Sequence, residues 1–150
     1  MANTRRWRRS HLALVIAAAL AIACGGDKAT APVPCDVYDG GNPSGSSLAG
    51  GYALVSLCQG VKPALTPPAA SGTLSMTETA PGTGDFDATI TITGQAAQTF
   101  AGPYTISGSA ITVTLPIGHL AGTYTFSNDT LYVSTRSTGT LLSVVFHKTS

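Results

Sequence analysis

The chain has 150 residues, only 10% of them charged, and its eight basic side chains against seven acids leave a formal charge of +1. Four of the eight, Arg5, Arg6, Arg8 and Arg9, lie at the very start; beyond them Lys28, Lys62, Arg136 and Lys148 stand against all seven acids, a net side-chain charge near −3. No basic patch survives in that body, which excludes nucleic acid as a partner, and its wealth of Thr, Ser, Gly and Ala suits a β domain with threonine on its strand surfaces.

The basic start leads into an apolar run from Leu12 to Ala23 and then to small residues before Cys24. A basic run, a short apolar core and small residues at a cleavage point read as an export signal, residues 1–23. About a dozen apolar residues fall short of the roughly 20 that a spanning helix needs, so this run is not expected to persist as an anchor. Ala21-Ile22-Ala23 is an A-x-A site for ordinary signal peptidase. Ala21-Ile22-Ala23-Cys24 also resembles a bacterial lipobox, with Ala21 where the best pattern has leucine. Both enzymes would cut the same bond. The lipobox resemblance implies that Cys24 carries the lipid and that the protein works in the cell envelope, held to a membrane by that lipid. Gly25 after the cysteine, rather than Asp, is compatible with passage to an outer membrane. Without the lipid the chain would be a soluble secreted or periplasmic domain. Arg5-Arg6 raises the folded-export route, but Trp7 and the charges after it fit that pattern poorly.

Three cysteines, Cys24, Cys35 and Cys58, are an odd count for an exported chain. If Cys24 is acylated, Cys35 and Cys58 remain as a pair in an oxidising compartment. Their bond would close a loop of about two dozen residues, worth roughly 3 kcal/mol in the chain-entropy model. The alternative leaves Cys35 a free tail thiol and Cys58 a buried apolar residue. Two cysteines without a nearby histidine pair fall short of the four ligands of a zinc site.

From residue 24 to residue 47 the chain reads as a flexible tether. Lys28-Ala-Thr-Ala-Pro-Val-Pro34 and Gly40-Gly-Asn-Pro-Ser-Gly-Ser-Ser47 are Pro/Gly/Ser stretches with too few apolar residues to pack. The domain proper is expected at 48–150, long enough for one small core.

There the pattern has period two. Phe86, Ala88, Ile90 and Ile92 alternate with Asp87, Thr89, Thr91 and Thr93, and Ile111, Val113 and Leu115 with Thr112 and Thr114. Such alternation makes strands with one dry and one wet face. Strands are expected at about 51–58, 72–78, 85–94, 97–101, 103–107, 110–115, 122–127 and 130–136, with a last one at 140–148. The stretch 97–107 can be a single strand bent at Pro103. No segment has a helical period. Gly108-Ser109 suits a type II′ hairpin, Asn128-Asp129 a type I′ hairpin, and Ser137-Thr138-Gly139 closes the last one. Gly102-Pro-Tyr104-Thr-Ile106 and its continuation to Ile111-Thr-Val113 match Gly122-Thr-Tyr124-Thr-Phe126 and Leu131-Tyr-Val133, the same hairpin used twice. Repeated hairpins without crossovers predict an all-β, antiparallel up-and-down meander of about eight strands, and closure into a small barrel would remove its exposed edges.

Gly50-Gly51-Tyr52-Ala-Leu-Val-Ser, a Pro-containing loop (Lys62-Pro63-Ala-Leu65-Thr-Pro67-Pro68), the Gly-x-Tyr-Thr hairpins and the ending Val-Val-Phe146-His-Lys148 resemble small bacterial lipocalin-like lipoproteins over roughly residues 48–148. In lipocalins the first strand carries Gly-x-Trp, and a basic residue from the barrel's end packs over the ring. This chain has Tyr52 in that place and Lys148 as the candidate partner, and it lacks a C-terminal helix. The resemblance implies a binding barrel for a small hydrophobic ligand.

No catalytic signature accompanies these features. His119 lies in the turn Pro116-Ile-Gly-His119 and His147 on the last strand; no serine sits in Gly-x-Ser-x-Gly. A triad of Ser, His119 and Asp129 has no support from spacing. Asp85, Asp87 and Glu78 make no calcium loop of a recognised kind. No enzyme, metal or cofactor is expected. Inward candidates are Tyr52, Leu54, Leu74, Met76, Phe86, Ile90, Ile92, Tyr104, Ile106, Ile111, Val113, Tyr124, Phe126, Leu131, Val133 and Val145. A barrel of eight strands either fills with such side chains or holds one small ligand. In the second case Tyr52, Tyr104 and Tyr124, with Phe126, line the mouth of an apolar pocket, hydroxyls at the rim. The alternative is a filled barrel acting as a tethered structural or protein-interaction module. The last strand is apolar on both faces, so it is either buried on both sides or offers a patch.

Overall fold

Nine strands succeed one another in the computed structural model, which describes residues 30–150. The expected export signal at 1–23 and Cys24 lie outside those residues. The strands are β1 (Gly50–Gln59), β2 (Val61–Leu65), β3 (Ala70–Ala80), β4 (Thr83–Ile92), β5 (Gln98–Ser107), β6 (Ala110–Leu115), β7 (Gly118–Ser127), β8 (Thr130–Ser137) and β9 (Thr140–Lys148). From β3 to β9 each pairs antiparallel with the next, β1 pairs with β3, and β9 returns to β1. Eight strands thus close a meander barrel, and β2 adds a short outer rung to the far half of β1. Closure leaves no long unpaired edge, as the repeated hairpins require.

The turn chemistry behaves as its residue types dictate. Asn128 and Asp129 have φ of 49° and 57°, and Gly108 has φ of 61°, the positive values that these tight hairpins need. Thr138 and Gly139 take the same conformation between β8 and β9. The expected 97–101 and 103–107 segments are one strand, β5, with Pro103 opposite Asp85. Pairing of β5 to β6 begins only at Tyr104, so the proline sits where one flank of the strand carries no ladder. Two expectations need correction. The loop at 62–68 contributes β2, and β7 starts at Gly118 rather than near 122, so His119 is a strand residue facing Thr114.

Inside the barrel the period-two sides converge on one core containing Leu54, Leu74, Met76, Ile111, Leu131, Val144 and Phe146. Each such side chain contributes roughly 1.5–3 kcal/mol when buried. The opposite sides carry Thr73, Ser75, Asp85, Asp87, Thr89 and Thr105. An apolar inside and a polar outside invert the pattern of a barrel that spans an outer membrane. Gly84 marks a close approach between neighbours: a Cβ there would collide with the Thr77 carbonyl oxygen and stand 3.0 Å from the Tyr104 ring.

A bulge in β1 changes its parity. Leu54 opposes Phe146, Ser56 opposes Val145, and Leu57 opposes Val144, so Val55 is the extra residue. A bulge lets two residues oppose one and re-aims the side chains beyond it. Without it Cys58 would share the inward side of Tyr52 and Leu54; with it Cys58 faces outward, opposite Ser143.

Onto that outer side comes the chain before the barrel. Cys35 and Cys58 form a disulfide, Cα atoms 5.8 Å apart. The Asp36 carbonyl accepts from the hydroxyls of Ser143 and Ser134. Tyr38 donates its N–H to Ser134 Oγ at 2.9 Å and packs its ring 5.0 Å from that of Tyr132. Gly40 N–H reaches Thr125 Oγ1 at 2.8 Å, and Gly41 bridges the β7 backbone on both sides of Thr125. Residues 35–41 therefore run as a strap across β1, β9, β8 and β7. One compact unit spans Ala31–Ser150, so packing begins well before the expected boundary at 48. The strap answers the question of the last strand. Leu142, Val144 and Phe146 face in, while Val145, which the alternation had placed inward, is on the outer side with Tyr132 and only 7% exposed.

Candidate functional site

The barrel is filled at one end and hollow at the other. The filled end holds the β3–β4, β5–β6 and β7–β8 hairpins and the start of β1. There Leu48 folds under the barrel as part of its core. Tyr52, Tyr104, Tyr124 and Phe126 pack beside it, none more than 3% exposed. Tyr52 donates its hydroxyl to the Leu48 carbonyl at 2.6 Å. Above its ring stands the Lys148 ammonium, 6.0 Å from the centroid and 3.3 Å from the Ser47 carbonyl oxygen.

Burial governs the chemistry of these phenols. Desolvation, then the neighbouring Tyr104 and the charges of Asp129 and Glu78, push the Tyr52 hydroxyl up to about 12. Burial also raises Tyr104, with Glu78, Asp85 and Tyr124 adding to it, and raises Tyr124, with Glu78 adding to it. All three stay neutral at physiological pH, and of them Tyr52 donates its hydroxyl. The Tyr104 hydroxyl has no partner at all, alone among buried side-chain polar atoms of the described residues.

Above this plug lies a cavity of about 200 Å³. Met76, Tyr104 and Ile111 form its deep part, and Phe86, Val113, Leu131, Val133, Val144 and Phe146 its walls. Toward the other end the wall continues through Ile90, Phe100, Leu115, Leu120 and Leu142, all only half-buried, so the cavity opens there. Gly122 leaves part of the wall without a side chain. Thr135 reaches the wall with its hydroxyl spent on the Ala121 carbonyl at 2.8 Å. The lining is thus hydrocarbon almost throughout.

The expected ligand residues divide accordingly. Of Tyr52, Tyr104, Tyr124 and Phe126, only Tyr104 touches the cavity, and it does so from below. The other three belong to the plug, so the tyrosine hydroxyls are not at a rim. Phe100, Leu120 and Leu142 were missed. Extending the alternation of Tyr104 back to Phe100, and of Tyr124 back to Leu120, would have found the first two. His119 and His147 lie on the outer wall, their Nδ1 atoms 3.0 Å from Thr114 Oγ1 and 3.1 Å from Thr130 Oγ1. They sit near opposite ends of the barrel, and Asp129 is with His147 rather than His119. Among the described residues no three His, Cys, Asp or Glu side chains come together.

Solved structures share this architecture. A de novo designed fluorescence-activating β-barrel is similar over 68% of this chain and 94% of its own, with 14% identity and a TM-score of 0.50. A redesigned β-barrel is similar over 69% and 92%, with 19% identity and a TM-score of 0.52. Secretory abundant heat soluble protein 4 of Ramazzottius varieornatus aligns over 68% and 94% at 12% identity, with a TM-score of only 0.37. No family model matches the chain, and no curated protein does. The fold and the hollow end define a class: a closed eight-stranded antiparallel barrel, able to take a small ligand.

Proposed function

We propose that this protein is a non-catalytic lipoprotein of the bacterial cell envelope, anchored through Cys24, that holds a small apolar molecule in its barrel. The observation that carries the binding half is the one-ended hydrocarbon cavity above a plugged floor. Its volume of about 200 Å³ slightly exceeds the ~150 Å³ that suffices for benzene in an engineered apolar void. It is smaller than the roughly 300–1,000 Å³ of pockets that swallow a drug-sized ligand whole. A compact apolar molecule, or the tail of a longer one whose head stays at the mouth, fits these dimensions.

The anchoring half rests on the signal-like start and on the cysteine count. With Cys35 and Cys58 bonded to each other, Cys24 is the unmatched cysteine, as a lipid-bearing one would be. Gly25 behind it favours the outer membrane. The same barrel without the lipid would work as a secreted or periplasmic carrier.

Intact mass of protein extracted from membranes, recorded natively and then denatured, tests both halves. An acylated Cys24 with an apolar adduct lost on denaturation is the expected result. An acylated chain that carries nothing would point instead to a filled barrel serving as a tethered structural or protein-interaction module. An unmodified Cys24 would overturn the anchor.

A further inference from the structure

The two ends of the barrel differ in more than filling. Of the five large hydrophobic residues exposed among the described residues, Val33, Val61 and Ile117 lie at the open end. Ile117 is 93% exposed. It caps the β6–β7 hairpin beyond Leu115 and Leu120, which are themselves half-buried members of the cavity mouth. Nothing in the fold requires isoleucine at a hairpin tip, where turn chemistry prefers Gly, Asn, Asp or Ser.

Free carboxylates are sorted along the same axis, while cations stand at both ends, Lys148 at the plugged one. Glu78 and Asp129 belong to the plugged end, where the Asp129 carbonyl accepts from Lys148 N–H at 2.7 Å. The open end carries Arg136, whose guanidinium donates to the Gly139 carbonyl at 3.4 Å and to no other group among the described residues, and Lys62, paired with Asp36 at 2.8 Å. No unpaired carboxylate is found there among the described residues.

The chain also enters the barrel at this end. Lys62 N–H donates to the Val33 carbonyl at 2.7 Å, Cys35 N–H to the Gly60 carbonyl at 3.1 Å, and Gly60 N–H to the Leu141 carbonyl at 2.7 Å, beside the β8–β9 hairpin. The disulfide to Cys58 fixes that entry point covalently. Cys24 stands eleven positions before Cys35, a reach of at most about 40 Å fully extended. Ten-residue strands run roughly 33 Å along their own axes. A lipid at Cys24 would have to spend most of that reach to turn the plugged end toward a bilayer, and little of it to turn the open end.

From the exposed Ile117 beside the cavity mouth, the lack of free acid there and the entry of the chain at the same end, we infer that the open end is a membrane-docking surface. Ile117 enters the acyl region, Arg136 faces anionic headgroups, and the mouth opens against the lipid so that an apolar molecule moves between bilayer and cavity without crossing water. The direction of docking rests on the anchor and cavity readings above, but the surface itself stands on residues far from Cys24.

The test uses the mature, acylated chain that begins at Cys24, which has no tryptophan of its own, with one introduced, either Ile117→Trp at the open end or Thr79→Trp near the plugged end. Both positions are exposed, so either variant folds. Each is mixed with vesicles of phosphatidylcholine and phosphatidylglycerol brominated on their acyl chains. The expected result is a blue shift and at least threefold stronger quenching at 117 than at 79. No quenching at 117, or equal quenching at both, overturns the docking surface. So does a blue shift at 117 that appears without vesicles and grows with protein concentration, since it marks contact with a second copy. Flotation with the vesicles reports the anchor and native mass reports the ligand, so those readings fail separately from this one.

Discussion

Lys148 Nζ stands 6.0 Å above the centroid of the Tyr52 ring, joining the last residue of β9 to the first inward residue of β1. The pair locks the seam where the barrel closes, and its two members differ in weight. The ammonium is exposed enough that its attraction to the ring is worth about 0.5–1 kcal/mol. The Tyr52 hydroxyl is buried and satisfies the Leu48 carbonyl that plugs the barrel. Lys148→Ala is therefore expected to cost under about 1 kcal/mol, and Tyr52→Phe about 1–3 kcal/mol, because it strands a buried acceptor. Urea unfolding of the two variants checks the order.

Tyr104 should respond in the opposite sense to Tyr52. Its hydroxyl is buried without a partner, so Tyr104→Phe removes an unmet donor and leaves the packing intact. The variant is expected to be neutral or up to about 1 kcal/mol more stable. A marked loss of stability in the same urea experiment would mean that the hydroxyl has a partner in solution.

Alkaline pH should loosen the plug. The Tyr52 hydroxyl is raised from 10.0 to about 12, so between these values the folded state holds a proton that the unfolded state has released. Stability from this group is complete below pH 10 and is lost as pH rises through about 12. Thermal melts from about pH 9 to about pH 12 should show a progressive fall that is smaller in Tyr52→Phe.

The strap depends on its disulfide. Replacing Cys35 and Cys58 by serine is expected to cost about 3 kcal/mol in the chain-entropy picture. It should also speed amide exchange at Gly41, whose N–H now bonds to the Tyr124 carbonyl at 2.8 Å. Unchanged exchange there would show that the Ser134 and Ser143 hydroxyls hold the strap by themselves.

Phe146→Asp places a charge among the cavity walls and is expected to unfold the barrel or cost more than about 3 kcal/mol. Val113→Phe is the gentler probe. It fills the hollow end with hydrocarbon and should weaken the binding of an apolar fluorophore at least tenfold while leaving the melting temperature within a few degrees. Undiminished binding would place the ligand outside the cavity.

The strands, their inward sides and their turns were legible along the chain because each is a local property. Alternation at Phe86–Ile92, Gly108-Ser109 and Asn128-Asp129 says what neighbouring residues must do, and the twice-used hairpin pointed to a closed meander. The pairing of Cys35 with Cys58 came from counting. Only the folded chain could decide the rest. Val55 as a bulge, and with it the outward turn of Cys58, emerges from matching β1 against β9 across the closure. The docking of residues 35–41 arises because serine hydroxyls on β8 and β9 meet backbone groups about a hundred positions away, which no window of sequence contains. Which half of the barrel is solid and which is hollow depends on Leu48 folding beneath three tyrosines from three strands. Side-chain parity sends residues inward, but how completely they fill the space is settled by the shape that closure gives to the whole ring.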